Sequence, residues 1–271
     1  FLSFDFYLLT HVKFSLDSYV FWLLIIILKI NHTIKEKEKM ISGEVNIQIP
    51  FATPVRMPNG LQWYEDELYV MDQLTDDVFV LNIDGSVNRI VTTETENGSG
   101  ITVGGGFIWT ASNGEASARP ARKSDDHISK ILKIDPISGC TVDYFLTPDG
   151  GGVHGLAWDD GKIWITAFNP RAIHVIDCSN YEIVQSFSSD LDVLHGLALD
   201  GDGIWCSDRA NGLIVRMNKQ TGEVTDHIKM PNGSGDPHGL TINSSGLWYS
   251  DADFPFADGM RGYPEIGIIA I

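Results

Sequence analysis

The chain has 271 residues, of which 43% are hydrophobic and 20% charged, a balance that fits a soluble globular protein with one large core. Its formal net charge of −17 argues against nucleic acid and anionic membrane surfaces as partners of the folded part. The three cysteines are too few for a disulfide framework, so we expect reduced thiols and a cytoplasmic location.

The first 39 residues differ in composition from the rest of the chain. The run "YVFWLLIIIL", residues 19–28, is only half of the roughly 20 apolar residues that a membrane-spanning helix needs. We therefore expect residues 1–39 to be a non-native or upstream extension outside the fold, and residues 40–271 to form a single domain. The alternative is a hydrophobic anchor, which would make the protein secreted or membrane-anchored.

A motif that joins a glycine to an aromatic residue nine positions later occurs five times. The glycines are Gly60, Gly100, Gly155, Gly196 and Gly239, and the aromatics are Tyr69, Trp109, Trp164, Trp205 and Trp248. One copy reads "HGLALDGDGIWCSD", and two further alternating segments, "LIVRMN" and "EVTDHIKMP", follow it. Four short strands repeated at intervals of about 40 residues are typical of β-propeller blades.

The nine-residue spacing has a physical cause in such a blade. The glycine starts the inner strand, where neighbouring blades crowd the axis and leave little room for a side chain. The aromatic lies on the second strand and faces the adjacent blade, so the five rings carry much of the contact between blades.

The two chain ends supply complementary parts of one blade. After Gly239 the sequence provides only three strands, the last being "EIGIIAI" at 265–271. The segment "GEVNIQIP", 43–50, matches the fourth strand of another copy, "GEVTDHIKMP". We predict that 43–50 pairs with 265–271 and closes an all-β, five-bladed propeller. A six-bladed propeller truncated at its C-terminus is the alternative.

Two sets of residues are predicted to surround one mouth of the central channel. The residues that precede the glycines are Asn59, Ser99, His154, His195 and His238. The loops that follow the second strands begin with Asp72, Asn113, Asn169, Asp208 and Asp251. Loops 113–129 and 251–265 are long enough to form a lid, and Arg119 and Arg122 in the first could bind an anionic substrate group.

The three histidines have two interpretations. In the structural one, each imidazole hydrogen-bonds nearby backbone and anchors the start of its strand. In the functional one, His154, His195 and His238 bind a divalent metal ion, or one of them acts as a general acid–base. Three histidines with an open position suit a metal that activates water or polarises a carbonyl.

The repeats "PHGLTINSSGLWYSD" and "HGLALDGDGIWCSDRANGLIVRMNKQTGEV" resemble those of virginiamycin B lyase (streptogramin lyase) propellers, and also the SMP-30/gluconolactonase and NHL-type propellers. The lyase resemblance implies a divalent ion and a histidine base near the axis, at His154, His195 and His238. The lactonase resemblance implies acidic and asparagine ligands, for which Asn59 and Asp208 are the nearest matches. The ion implied is zinc, magnesium or calcium.

Three functions follow from these observations. The first is a metal-assisted lyase or hydrolase that acts on a small-molecule lactone or ester at the axial mouth. The second is a non-catalytic propeller that binds a peptide or protein on the same face. The third is a glutaminyl-cyclase-like transferase. We expect the protein to be a monomer.

Overall fold

The computed structural model of the protein describes residues 45–115, 118–253 and 261–271. Residues Glu44–Ile271 form one compact unit. The predicted extension, 1–39, lies outside the described residues. Within the described ranges, no helix has the length and apolar character that crossing a membrane requires.

The described residues form five antiparallel sheets of four strands each, which are the blades of a propeller. Blade 1 consists of β2 (Pro58–Tyr64), β3 (Glu67–Asp72), β4 (Asp77–Leu81) and β5 (Val87–Val91). Blade 2 consists of β6 (Gly98–Gly104), β7 (Phe107–Ser112), β8 (Lys130–Ile134) and β9 (Thr141–Leu146). Blade 3 consists of β10 (Leu156–Asp159), β11 (Lys162–Phe168), β12 (Arg171–Asp177) and β13 (Ile183–Ser188).

Blade 4 consists of β14 (Leu194–Asp200), β15 (Gly203–Asp208), β16 (Leu213–Asn218) and β17 (Val224–Lys229). Blade 5 consists of β18 (Leu240–Asn243), β19 (Gly246–Asp251), β20 (Glu265–Ile269) and β1 (Ile47–Gln48). The predicted five-bladed, all-β fold is thereby confirmed.

The ring closes as the sequence predicts, by pairing the two chain ends. Ile47 pairs with Ile269 and Gln48 with Ile268 in antiparallel register. The closing strand β1 has two residues and is shorter than the predicted 43–50, of which 43–44 lie outside the described residues. Proline at position 50 has no N–H to donate to the ladder. One further hydrogen bond, from Ala270 N to Asn46 O at 3.4 Å, extends the contact.

The five motif glycines lie where neighbouring blades meet at the axis. A methyl group built on any of them would lie only 2.1 to 2.8 Å from a carbonyl oxygen. The glycine and oxygen pairs are Gly60 with Ser99 at 2.4 Å, Gly100 with His154 at 2.8 Å, Gly155 with His195 at 2.1 Å, Gly196 with His238 at 2.5 Å and Gly239 with Asn59 at 2.4 Å. Each of these oxygens belongs to the next blade, at the residue that precedes its own glycine. The predicted crowding at the inner strand is therefore observed at all five positions.

The five motif aromatics are all buried, each at most 5% exposed. Each packs with an inner-strand residue of the next blade: Tyr69 with Ile101, Trp109 with Leu156, Trp164 with Leu197, Trp205 with Leu240 and Trp248 with Leu61. The apolar core thus consists of layers between blades, and the polar residues before the glycines remain at the axis.

Candidate functional site at the axial mouth

The inner strands of blades 3, 4 and 5 share a hydroxyl anchor. The N–H groups of Gly155, Gly196 and Gly239 donate to the side-chain oxygens of Thr166, Ser207 and Ser250 at 2.9, 2.8 and 2.9 Å. The hydroxyls of Ser207 and Ser250 in turn donate to the carbonyls of His238 and Asn59 in the next blade, at 3.1 and 2.7 Å. These hydroxyls therefore hold the backbone that carries the histidines.

The three imidazoles lie in consecutive contact, the first pair tilted and the second pair edge-on. The ring centroids of His154 and His195 are 4.2 Å apart, and those of His195 and His238 are 4.8 Å apart. Phe168 packs edge-on against His154 at 5.1 Å. His195 and His238 are buried, whereas His154 is partly exposed.

His238 has an oriented ring. Its Nδ1 lies 3.0 Å from the carbonyl oxygen of Asp236, and the Ala252 N–H lies 3.4 Å from the same nitrogen. The shorter contact requires a proton on Nδ1, so we assign the neutral tautomer with its lone pair on Nε2. Asp251 Oδ1 is 3.8 Å from Nδ1, too far for a hydrogen bond.

His154 and His195 do not anchor backbone through Nδ1. In both residues this atom is buried and has no hydrogen-bond partner in the described structure. The same holds for the Oδ1 atoms of Asn59 and Asn113 and for the Nε atom of Arg209. Buried polar atoms are almost always paired, so such a concentration near the axis indicates a place for water or a ligand.

Burial keeps the three imidazoles neutral at physiological pH. It is the main cause that lowers the pKa of His154 to about 4 and that of His238 to about 3, and the positive charge of Arg209 adds to both effects. The pKa of His195 also lies well below its usual value, because of burial first and the two neighbouring imidazoles next. Neutral imidazoles can accept a proton or coordinate a cation.

The imidazole nitrogens at the mouth are of a chemical type that binds metal ions, but the side chains are not positioned to hold one. Imidazole nitrogens suit zinc better than magnesium or calcium, which prefer oxygen ligands. However, no set of three or more His, Cys, Asp or Glu side chains in the described ranges is arranged so that it could hold an ion. The divalent ion therefore stays a prediction.

Two of the predicted carboxylates bind the backbone of their own blade. Asp72 Oδ1 accepts the Met57 N–H at 2.8 Å. Asp208 accepts the N–H groups of Asp192 and Val193, both at 3.0 Å. They hold the segment that enters the blade just before the ring residue.

Asp251 differs from these two carboxylates, because its Oδ2 pairs with Arg261 at 2.6 Å. Burial raises the pKa of Asp251, and the charge of Arg261 opposes this effect. Residues 254–260 of the predicted second lid lie outside the described part.

The two arginines proposed for an anionic substrate form internal ion pairs. Arg119 Nε is 2.6 Å from Asp76, and its other nitrogens contact Asp125 at 2.8 Å, with the side chain only 5% exposed. Arg122 donates to the Thr93 carbonyl at 2.8 Å. These contacts fix the described part of loop 113–129 to blade 1.

Asn113 and Ser99 lie together at the boundary between blades 2 and 3. The Asn113 amide donates to Ser99 Oγ at 2.8 Å, and Ser99 donates to the Val153 carbonyl at 2.6 Å. Asn169 is exposed in the tight turn between β11 and β12. Asn169 lies 14 residues after Gly155, whereas Asp72 lies 12 residues after Gly60. The residue 12 positions after Gly155 is Ala167, which is therefore the counterpart of Asp72.

Sequence reasoning missed Arg209 and the hydroxyl anchors. Arg209 directly follows the predicted site residue Asp208, and it begins the 3₁₀ turn Arg209–Asn211. The hydroxyls of Thr166, Ser207 and Ser250 each lie two residues after the motif tryptophan in the three histidine-bearing copies. That shared position was the signal available in the sequence.

The fold and its polar axial mouth define this protein as a β-propeller with a candidate functional site at the axis. No protein-family model and no curated protein matches the chain. Among solved structures, the glutaminyl cyclase of Myxococcus xanthus matches with a TM-score of 0.60 and 10% identity, over 83% of this chain and 95% of that one.

Two lyase structures match less closely. Virginiamycin B lyase from Staphylococcus aureus matches with a TM-score of 0.47 and 20% identity, over 76% of this chain and 67% of that one. A streptogramin B lyase matches with a TM-score of 0.49 and 15% identity, over 84% of this chain and 88% of that one. At these identities the resemblance to propellers is confirmed for the fold alone.

Proposed function

We propose that this propeller is an enzyme, a lyase or hydrolase, that acts on a small molecule of the lactone or ester class at the axial mouth. His238 is the general base. The observation that carries the proposal is the contact of its Nδ1 with the Asp236 carbonyl, which leaves the Nε2 lone pair available within a neutral imidazole cluster. An imidazole oriented through one nitrogen is a common proton acceptor in enzymes.

His154 and His195 have the role of binding groups in this proposal. Their Nδ1 atoms are buried without a partner in the described ranges, so a ligand that pairs with them would add hydrogen bonds at these positions. His238, with a pKa lowered to about 3, is a weak base in the free protein. Proton abstraction at neutral pH therefore requires a bound ligand that offsets the effect of burial and of Arg209.

The experiment is a turnover screen of the full chain with p-nitrophenyl acetate, δ-valerolactone and a glutaminyl peptide, with and without zinc, magnesium or calcium. The peptide is included because the chain shares its fold with a glutaminyl cyclase. Mass spectrometry distinguishes products that have gained water from products of elimination. For any substrate turned over, we expect kcat of His238→Gln to fall roughly 100-fold or more.

His227→Gln is the matched control, because His227 lies on the outer strand β17 of blade 4. Wild-type kcat in a folded His238→Gln variant would contradict the role of the base. No turnover of any substrate under any metal condition would contradict the enzyme proposal and favour a propeller that binds a peptide or protein partner. Turnover that needs an added ion would support the predicted metal dependence.

A further inference from the structure

Arg209 is a partly buried cation without a close counter-charge in the described part of the chain. Its backbone is fixed, because the Arg209 N–H donates to the Val193 carbonyl at 3.0 Å. Its Nε atom is buried and has no acceptor among the described residues. The carboxylate paired with it, Asp236, lies 4.0 Å from its terminal nitrogen, beyond hydrogen-bond distance, and is itself half exposed.

The other described arginines with buried or partly buried side chains are paired differently. Arg89, Arg119, Arg216 and Arg261 each contact a carboxylate oxygen at 2.6 to 2.8 Å. Arg122 lies farther from its carboxylate, 3.3 Å from Asp77, but it also donates to the Thr93 carbonyl at 2.8 Å. In an acidic protein carboxylates are abundant, so a guanidinium without one at close range is unusual. Leaving a buried charged donor unpaired costs free energy, which indicates that an acceptor from outside the chain completes the site.

The Arg209 guanidinium has an electrostatic effect on all three imidazoles at the mouth. Its positive charge is among the causes that lower the pKa of His154, His195 and His238. Two of these rings have unpaired Nδ1 atoms. The Arg209 backbone bonds to Val193, two residues before His195, and the His195 ring lies 4.2 Å from that of His154. Arg209 and the two rings therefore form a side of the mouth, within blades 3 and 4, that offers a positive charge and hydrogen-bonding nitrogens to a ligand.

We infer that Arg209 binds a carboxylate group of a small organic ligand at the axial mouth. A single guanidinium matches the charge and planar shape of one carboxylate. A phosphate dianion would need more positive charge than one arginine supplies, and Asp236 and Asp251 stand nearby. The net charge of −17 also disfavours general anion binding, so a local site is required.

Two asparagines of blades 1 and 2 offer acceptors. The Oδ1 atoms of Asn59 and Asn113 are buried and have no donor among the described residues. An N–H or O–H group of the ligand would satisfy them. The ligand class is thus a small carboxylate that also carries an N–H or O–H donor. If the proposed function holds, its lactone or ester substrate carries both of these groups; binding of the carboxylate itself does not depend on turnover.

The test is calorimetric titration of the full chain at low ionic strength with N-acetylglycine and with its neutral amide, N-acetylglycinamide. The two probes share the N–H donor and differ in the carboxylate. We expect N-acetylglycine to bind roughly tenfold or more tightly than the amide, and this preference to disappear in Arg209→Gln. Arg209→Lys keeps the charge and should retain part of the preference.

Arg216→Gln is the control, since Arg216 pairs with Asp200 on the same blade. It should leave the preference unchanged, and thermal unfolding checks that every variant is folded. Equal affinity of the wild type for the two probes, an unchanged preference in Arg209→Gln, or tighter binding of inorganic phosphate would overturn the inference. Absence of turnover of every substrate, with the preference for N-acetylglycine intact and dependent on Arg209, would contradict the proposed function and leave this inference standing.

Discussion

Blades 1 and 2 differ from blades 3, 4 and 5 in what occupies the axis. In the first pair, the side chains of Asn59 and Ser99 bond to neighbouring protein groups. In the other three blades, a hydroxyl holds the inner strand, and His154 and His195 leave Nδ1 without a partner among the described residues. The hydroxyls thus anchor the backbone at these two positions, and the Nδ1 atoms of His154 and His195 take no part in that anchoring.

The motif aromatics are common to both regions, so removing them should affect both alike. We expect Trp205→Ala in blade 4 and Trp109→Ala in blade 2 each to lower the free energy of unfolding by roughly 3–5 kcal/mol, because both rings are buried between blades. Urea unfolding followed by circular dichroism measures the effect. A near-neutral result for either variant would show that the two regions are not built on the same inter-blade core.

The hydroxyl anchor is specific to the histidine-bearing blades. Thr166 Oγ1 accepts the N–H groups of His154 and Gly155 at 3.1 and 2.9 Å. We expect Thr166→Val, which keeps the shape and removes the hydroxyl, to lower the free energy of unfolding by about 1–3 kcal/mol. Thr166→Ser keeps the oxygen and should cost less. Equal losses in the two variants would mean that packing, not the hydroxyl, anchors the strand.

The fold was predictable because its constraints repeat along the chain. Crowding by a neighbouring carbonyl demands glycine at positions such as Gly196, and burial between blades demands an aromatic such as Trp205. Each of these packing requirements involves one hairpin and occurs once in every blade, so it produces a periodic pattern in the sequence. The meeting of His154, His195 and His238 followed from the same periodicity.

The remainder of the site depends on contacts that do not repeat. The sequence does not show that Arg119 pairs with Asp76 and Asp125, because any of 36 acidic residues could have been its partner. Arg209 looked ordinary for the same reason, since its lack of a close carboxylate appears only in three dimensions. The position of Asn169 depends on the longer β11–β12 hairpin, which a glycine-based alignment does not reveal.

The neutral imidazoles of blades 3 to 5 should make the stability of the protein depend on pH. Asn59 and Ser99, which hold the same positions in blades 1 and 2, have no group that titrates and should not contribute. In the folded protein the pKa of His154 is lowered to about 4 and that of His238 to about 3, from an ordinary value of 6.5. Below pH 6.5 the unfolded chain binds protons that the folded protein does not, so stability is full above 6.5 and falls as pH drops towards 4.

Each such histidine contributes about 1.4 kcal/mol per pH unit within that window. We expect His154→Gln and His238→Gln each to make the slope of unfolding free energy against pH shallower by up to this amount, measured by urea unfolding between pH 6.5 and pH 4. His227→Gln on β17 serves as the control on an outer strand. The slope of unfolding free energy against pH does not change when a substitution lowers stability equally at every pH. A slope as steep as that of the wild type in both axial variants would therefore mean that the fold does not hold these imidazoles neutral.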